Sequence, residues 1–116
     1  EVDALKAELS EKLLTLHDEK RDQPVIKTMY DGAVVYQGNA NNDAPDMLVG
    51  YYSGYRASWQ TTLGAVPKRL VEINRNKWSG DHCVAVDQVP GVLFTSFKLD
   101  KQNYSIEELA SMVLED

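Results

Sequence analysis

The sequence predicts an α/β protein in which a short sheet is flanked by an N-terminal and a C-terminal helix and connected by long ordered loops. Apolar residues recur with helical spacing at the two ends of the chain. Four apolar runs between these ends have the length and composition of strands. Two irregular segments of about 15 residues each separate the later runs, which is long for connections within a small domain. With 116 residues, the chain is predicted to be one domain, residues 1–116.

Composition and charge exclude several classes of protein. Hydrophobic residues make up 43% of the chain and charged residues 26%, as in globular proteins. A net charge of −6 without a Lys/Arg cluster argues against a nucleic acid polymer as partner, because little would neutralise its phosphates. No apolar run approaches the roughly 20 residues of a membrane span, and a single cysteine, Cys83, excludes an intrachain disulfide.

The first helix is predicted from a stripe of apolar side chains. These are Val2, Leu5, Leu9, Leu13 and Leu16, spaced three and four residues apart. Glu8 and Lys12 form an i,i+4 pair of favourable orientation on the outer side. The polar stretch that follows ends at Pro24, which prevents the helix from continuing.

Four strands are predicted for the middle of the chain, at residues 25–30, 47–51, 70–73 and 91–97, with the strongest strand pattern in the last. Residues 33–36 fit a helix or a strand equally well. Residues 38–45 favour a loop. The two irregular segments, residues 53–67 and 74–90, are expected to be ordered loops.

The last helix is predicted to begin at a capping box. In Ser105-Ile-Glu-Glu108 the two end side chains can satisfy each other's free backbone amides. An apolar face follows, formed by Ile106, Leu109, Ala110 and Val113. No Gly, Pro or basic last turn marks an end before Asp116, which predicts that the chain is a piece of a larger protein.

The densest group of reactive side chains is Asp81, His82 and Cys83, which follow Gly80 directly. Three consecutive side chains do not normally converge on one tetrahedral ion, so this run supplies one good ligand at most. His82 is therefore either a metal ligand or general base, or a structural histidine bonded to backbone in a tight turn. Cys83 is expected to be a small buried thiol. No nucleophile motif or phosphate-binding loop is present, so no catalytic residue is predicted within this chain.

Arg56 is a candidate for anion binding. It lies in the segment Gly54–Trp59, between aromatic residues and after a glycine. An arginine in this setting can bind a phosphate or carboxylate through two parallel hydrogen bonds. It can equally tie its loop to backbone carbonyls or to a carboxylate such as Asp46. Both roles remain open at this point.

Four motifs together resemble a known family. They are Ala44-Pro-Asp46, Gly54-Tyr-Arg-Ala-Ser-Trp59, Trp78-Ser-Gly-Asp-His-Cys83 and Val89-Pro-Gly-Val-Leu-Phe94. In this order and spacing they resemble the C-terminal part of alkaline phosphatase superfamily proteins. The most similar branch is that of the type I phosphodiesterase/nucleotide pyrophosphatase-like phosphohydrolases. The resemblance extends from about residue 13 to residue 114.

The resemblance implies part of a metal-dependent phosphohydrolase, with two divalent metal ions, commonly zinc, and a Thr or Ser nucleophile outside this chain. It implies that His82, matching a family Gly-x-His turn, is a late metal ligand. Asp81 becomes a candidate for fixing the imidazole tautomer and Arg56 for binding substrate, while Cys83 replaces a glycine common in related enzymes. Partners would be the remainder of the parent enzyme and a phosphate-ester substrate. The chain by itself is expected to be inactive and to retain no metal ion.

A second hypothesis is a non-catalytic binding or assembly module derived from the same superfamily. Arg56 would then form a recognition surface together with the aromatic residues Tyr51, Tyr52, Tyr55 and Trp59. This hypothesis predicts a monomer without large exposed apolar patches. The excised-piece hypothesis predicts exposed apolar surface and self-association.

Overall fold

The computed structural model describes residues 1–39, 41–77, 79–80 and 82–114. Over these residues the chain is a small mixed α/β structure with four helices and two short antiparallel sheets. The helices are α1 (Val2–Leu14), α2 (Gly32–Val35), α3 (Trp59–Thr62) and α4 (Ile106–Leu114). The strands are β1 (His17–Asp18), β2 (Gln23–Pro24), β3 (Ile26–Asp31) and β4 (Met47–Tyr51). Two single 3-10 turns lie at Asn41–Asp43 and Val86–Gln88.

The main sheet is the antiparallel pair of β3 and β4. Its register pairs Ile26 with Tyr51 at one end and Asp31 with Met47 at the other. A second, very short pair joins β1 to β2 in a tight hairpin directly after α1. Val84 adds a parallel bridge beside Tyr51, so a later part of the chain returns to the edge of β4.

A small core lies where the hairpin, the main sheet and the segment after β4 meet. Val25, Ile26 and Tyr55 are its buried members. Half-buried side chains surround them: Leu13, Leu16, Met29, Val49, Tyr51, Tyr52 and Val71. Of the predicted stripe, Leu13 near the end of α1 and Leu16 just after it pack against the core, whereas Val2, Leu5 and Leu9 are exposed.

Gly50 allows the returning chain to lie close against β4. A Cβ atom at this position would lie 2.8 Å from Thr28 Cγ2 and 3.2 Å from Ala85 Cβ. Tyr30 Cε2 would also lie at 2.8 Å, so a side chain at residue 50 would displace the Thr28 and Tyr30 side chains of β3 and press on Ala85.

Two of the four predicted strands form and two do not. β3 and β4 confirm the predictions for residues 25–30 and 47–51. The strands predicted at residues 70–73 and 91–97 are wrong, since both segments are irregular. Leu70 is 87% exposed and Phe94 is 92% exposed. Residues with high strand propensity pack well on a half-buried sheet surface, and neither segment lies against such a surface.

The structure agrees better with the predicted helices than with the predicted strands. The ambiguous residues 33–36 fall mostly in α2, which begins where the Asp31 carboxylate accepts a hydrogen bond from the Ala33 amide at 3.0 Å. Half of the capping box expected before α4 is present, because the Ser105 amide donates to a Glu108 carboxylate oxygen at 2.7 Å, while the Glu108 amide donates to the Ser105 backbone carbonyl at 3.2 Å. No residue of α4 is buried, however. That this helix flanks the sheet stays a prediction.

Burial divides the described chain into two regions. The packed region comprises residues 1–56, Ala40 excepted, together with residues 83–88. The open region comprises residues 57–77 and 89–114. Of the described residues after Arg56, only Ala85 is buried.

Because much of the chain lies in the open region, the chain is larger and has more accessible surface than a compact domain of its length. Its radius of gyration is 18.2 Å, whereas a compact domain of this length has about 13 Å. Its accessible surface is 10269 Å², against about 6,300 Å² for a compact monomer of this mass. Within the described residues, no helix combines the length and apolar character needed to cross a bilayer.

Candidate functional site

The backbone on both sides of His82 is attached to the same short segment, residues 51–56. On the N-terminal side, Nη1 of Arg56 donates a hydrogen bond to the Gly80 carbonyl at 2.9 Å. On the C-terminal side, the Tyr51 amide donates to the Cys83 carbonyl at 3.2 Å, and the Ala85 amide donates to the Tyr51 carbonyl at 2.8 Å. Ala85 is completely buried. His82 itself is exposed, so its imidazole lies at the surface between two fixed points.

Arg56 links three parts of this site. Its Nε also donates to the Ala57 carbonyl at 3.3 Å. Its guanidinium carbon lies 5.1 Å from the centre of the Trp59 ring, within cation–π range. Of the two roles left open by the sequence, these contacts match the tie to backbone carbonyls. The structure thus brings Arg56 to the turn that carries His82.

A buried carboxylate holds the residue before Arg56. The Tyr55 hydroxyl donates to Asp18 Oδ2 at 2.9 Å and accepts a hydrogen bond from Gln23 Nε2 at 2.8 Å. The second oxygen of Asp18 accepts from the Lys20 amide at 3.0 Å. Burial raises the pKa of Asp18, but the hydrogen bonds from Tyr55 and from backbone amides, with the nearby Arg21 charge, lower this pKa below its ordinary value. Asp18 is therefore ionised at neutral pH.

The predictions for the two neighbours of His82, Asp81 and Cys83, have different outcomes. Asp81, the candidate for fixing the imidazole tautomer, lies outside the described residues. The prediction that Cys83 is a small buried thiol is wrong, because its side chain is exposed. The returning chain pairs with β4 only around Val84, and Cys83 lies at the rim of this contact.

The described residues do not assemble a complete metal site. No group of three or more His, Cys, Asp or Glu side chains among them lies close enough to hold an ion. A zinc site needs three or four converging ligands.

Sequence reasoning missed the contribution of Asp18 and Tyr55. Asp18 lies in the polar stretch after α1, and only the second hypothesis gave Tyr55 a role, on a recognition surface. The two are 37 residues apart, and no periodicity links them. A buried tyrosine needs a partner for its hydroxyl, but the sequence offers many candidate acceptors, so the pairing becomes visible only in the fold.

Comparison of the chain with family models, with curated proteins and with solved structures finds no match. The family resemblance of the four sequence motifs therefore stands as a proposal.

Proposed function

We propose that this chain is the C-terminal part of a metal-dependent phosphohydrolase of the alkaline phosphatase superfamily, in the branch of the type I phosphodiesterases. In this proposal His82 is one ligand of a two-ion site. The remaining ligands and a Thr or Ser nucleophile come from the rest of the parent enzyme. The substrate is a phosphate ester.

One observation carries the proposal: His82 is exposed, and the backbone before and after it is hydrogen-bonded to residues 51–56. A metal ligand must be held close to its working position before the ion binds, and side chains on anchored backbone meet this need better than those on free loops. The arrangement therefore suits a ligand that is completed from outside.

The exposed surface also supports an origin in a larger protein. The chain exposes roughly 3,900 Å² more than a compact monomer of its mass would. Much of the open region is apolar, including Leu63, Val66, Leu70, Val92 and Phe94. An excess of this size is comparable to the area that obligate partners bury. The remainder of the parent enzyme is the partner expected to cover it, and the chain by itself is expected to self-associate.

In the proposed enzyme, the metal ions and the residues near His82 have different roles. The two divalent ions, commonly zinc, would supply Lewis-acid stabilisation of the attacking and leaving oxygens when bound. His82 would bind through neutral imidazole. Arg56, in contact with the Gly80 carbonyl, would hold the turn, and Asp81 remains the candidate for fixing the imidazole tautomer.

The alternative of a non-catalytic recognition surface has less support. It requires Tyr51, Tyr52, Tyr55 and Trp59 to present their rings together. Tyr55 is 8% exposed and its hydroxyl is bonded to Asp18. Trp59 is 58% exposed, while the other two rings are half-buried. The described geometry leaves one of the four rings widely available.

The proposal is tested by His82→Ala in the intact enzyme. We expect turnover of the probe bis-(p-nitrophenyl) phosphate to fall by about 100-fold or more, because even the partners of a metal ligand contribute about 10–100-fold. Elemental analysis should show loss of metal from one of the two sites.

His17→Ala is the matched control, since His17 is the only other histidine and belongs to β1. It should leave turnover and metal content unchanged. A His82→Ala enzyme with normal turnover and full metal content would overturn the proposal. So would phosphodiesterase turnover by the purified 116-residue chain.

A further inference from the structure

We infer that the hydrogen bond between Asp18 and Tyr55 positions His82, acting through Arg56, although neither Asp18 nor Tyr55 belongs to the predicted site. The identity of His82 as a metal ligand rests on the proposed function. The mechanical link from Asp18 to the His82 turn rests on hydrogen bonds of the described residues.

The first step is that one segment holds both sides of the turn. Arg56 binds the Gly80 carbonyl, and Tyr51 binds the backbone of Cys83 and Ala85. Tyr51 is the last residue of β4 and is held by the sheet, so a shift of residues 52–56 reaches the turn through Arg56. The position of His82 depends on how firmly this segment is held.

The second step is that Tyr55 fixes this segment. Its ring is buried beside Val25 and Ile26, and its amide donates to the Tyr52 carbonyl at 3.1 Å. Its hydroxyl joins the segment to both strands of the hairpin, to Asp18 on β1 and to Gln23 on β2. The Asp18 bond has an ionised acceptor, which makes it about twice as strong as a neutral one.

The third step is the direct covalent link from Tyr55 to Arg56. Loss of the hydroxyl frees the ring to move, and Arg56 moves with its neighbour. A hydrogen bond of 2.9 Å tolerates little displacement before it weakens. Metal-binding groups must be held to within about 0.5 Å of the positions in which they bind the ion. A small shift at Tyr55 is therefore sufficient to misplace the imidazole.

The test is the NMR signal of the His82 ring Cε1–H group in the full chain, recorded at one fixed pH. We expect Tyr55→Phe to shift this signal, because the variant removes the hydroxyl that joins the segment to Asp18 and Gln23 and changes nothing else in the side chain. Tyr104→Phe is the matched control. The Tyr104 hydroxyl accepts from the amides of Asp100 and Lys101 in the open region, so its removal should leave the His82 signal unchanged.

A double-mutant cycle separates positioning through Arg56 from general loosening of the fold. Arg56→Ala should shift the His82 signal, and adding Tyr55→Phe to that variant should cause no further shift. Asp18→Asn retains an oxygen that can accept from Tyr55 and should shift the signal less than Asp18→Ala. Far-ultraviolet circular dichroism at each step verifies that the compared variants are folded. Additive shifts, or no shift in Tyr55→Phe, would overturn the inference.

Measurements on the intact enzyme distinguish failure of this inference from failure of the proposed function. If the inference holds, Tyr55→Phe should weaken metal binding by about 10–100-fold, as loss of a ligand's supporting partner does. If His82→Ala leaves metal content intact while Tyr55→Phe still shifts the ring signal, the proposed function fails and the positioning stands. If the ring signal does not respond, the positioning fails whatever the metal content.

Discussion

The packed and open regions have similar apolar content but very different burial. In the packed region, Val25 and Ile26 lie in a core completed by Tyr55. In the open region, runs of comparable hydrophobicity, such as residues 91–97, remain exposed. The difference is one of available partners. β3 pairs with β4 across the connection of residues 32–46, whose two ends are joined by a hydrogen bond of 2.9 Å from the Gly32 amide to the Asp46 carbonyl.

This contrast shows that an apolar run predicts a strand only where a neighbouring edge exists. A lone strand leaves its backbone groups unpaired, and two or three strands with a covered face are needed for stability. Residues 70–73 and 91–97 have the composition of strands, but the described chain offers them no covering surface. In the proposed parent enzyme, other segments would supply it.

The largest expected effect is on the core of the packed region. Ile26 is 4% exposed, and truncation of a buried Ile to Ala costs about 2–5 kcal/mol of unfolding free energy. Phe94→Ala, at an exposed position, should change it by less than about 0.5 kcal/mol. Urea denaturation followed by circular dichroism compares the two variants. Equal losses would show that the open region carries as much of the stability as the packed one.

The next largest difference between the two regions is expected in their rates of cleavage by trypsin in limited proteolysis. The open region presents exposed basic residues, namely Lys68, Arg69, Arg75 and Lys77. We expect cleavage at these sites at least about 10-fold faster than at Lys27 in β3, because cleavage of paired strands needs local unfolding. Mass spectrometry of early fragments identifies the sites. Early cleavage at Lys27 would contradict the division into regions.

Acid should weaken the packed region through Asp18. The pKa of Asp18 in the folded state is below the unfolded value of 3.8. The stability that its ionised form contributes is therefore fully present above pH 3.8 and is lost as pH falls through the lowered folded pKa. Asp18→Asn should reduce the slope of unfolding free energy against pH in this window, measured by urea titration at several pH values.

Other carboxylates also contribute to this acid response. Hydrogen bonds from Lys6 and from a backbone amide lower the pKa of Asp31, also in the packed region. Asp31→Asn is the comparison variant, since its carboxylate lies on the far end of β3 from the hairpin. An unchanged slope in Asp18→Asn would show that its carboxylate is equally solvated in the folded and unfolded states.

Local signals predicted the parts of the fold that depend on neighbours in sequence. α1 with its Glu8–Lys12 ion pair, at 2.5 Å, follows from helical spacing. The Ser105 cap and the β3 and β4 runs follow in the same way. Long-range pairing was not predictable, as the hairpin of β1 and β2 and the return of residues 83–85 to β4 show, because no period in the sequence encodes either partner.

In the candidate site, too, the residues were predictable from the sequence but their long-range partners were not. His82 and Arg56 were identified from residue type and spacing, and Arg56 was expected either at an anion or at a backbone carbonyl. Only the fold shows that the carbonyl is that of Gly80. The exposed thiol of Cys83 was mispredicted, since burial in a chain with a small core depends on which few segments reach it.

The anchoring of the His82 turn has a consequence for length variation. Arg56 and Gly80 are 24 residues apart in sequence, yet a direct hydrogen bond joins them, so residues 60–77 act as a spacer whose ends are already fixed. Doubling the length of such a spacer costs only about 0.6 kcal/mol of closure entropy. Insertions there that keep Val71 against the core should leave the imidazole where it is, which makes this stretch a natural place for length variation and for an engineer to graft a new element.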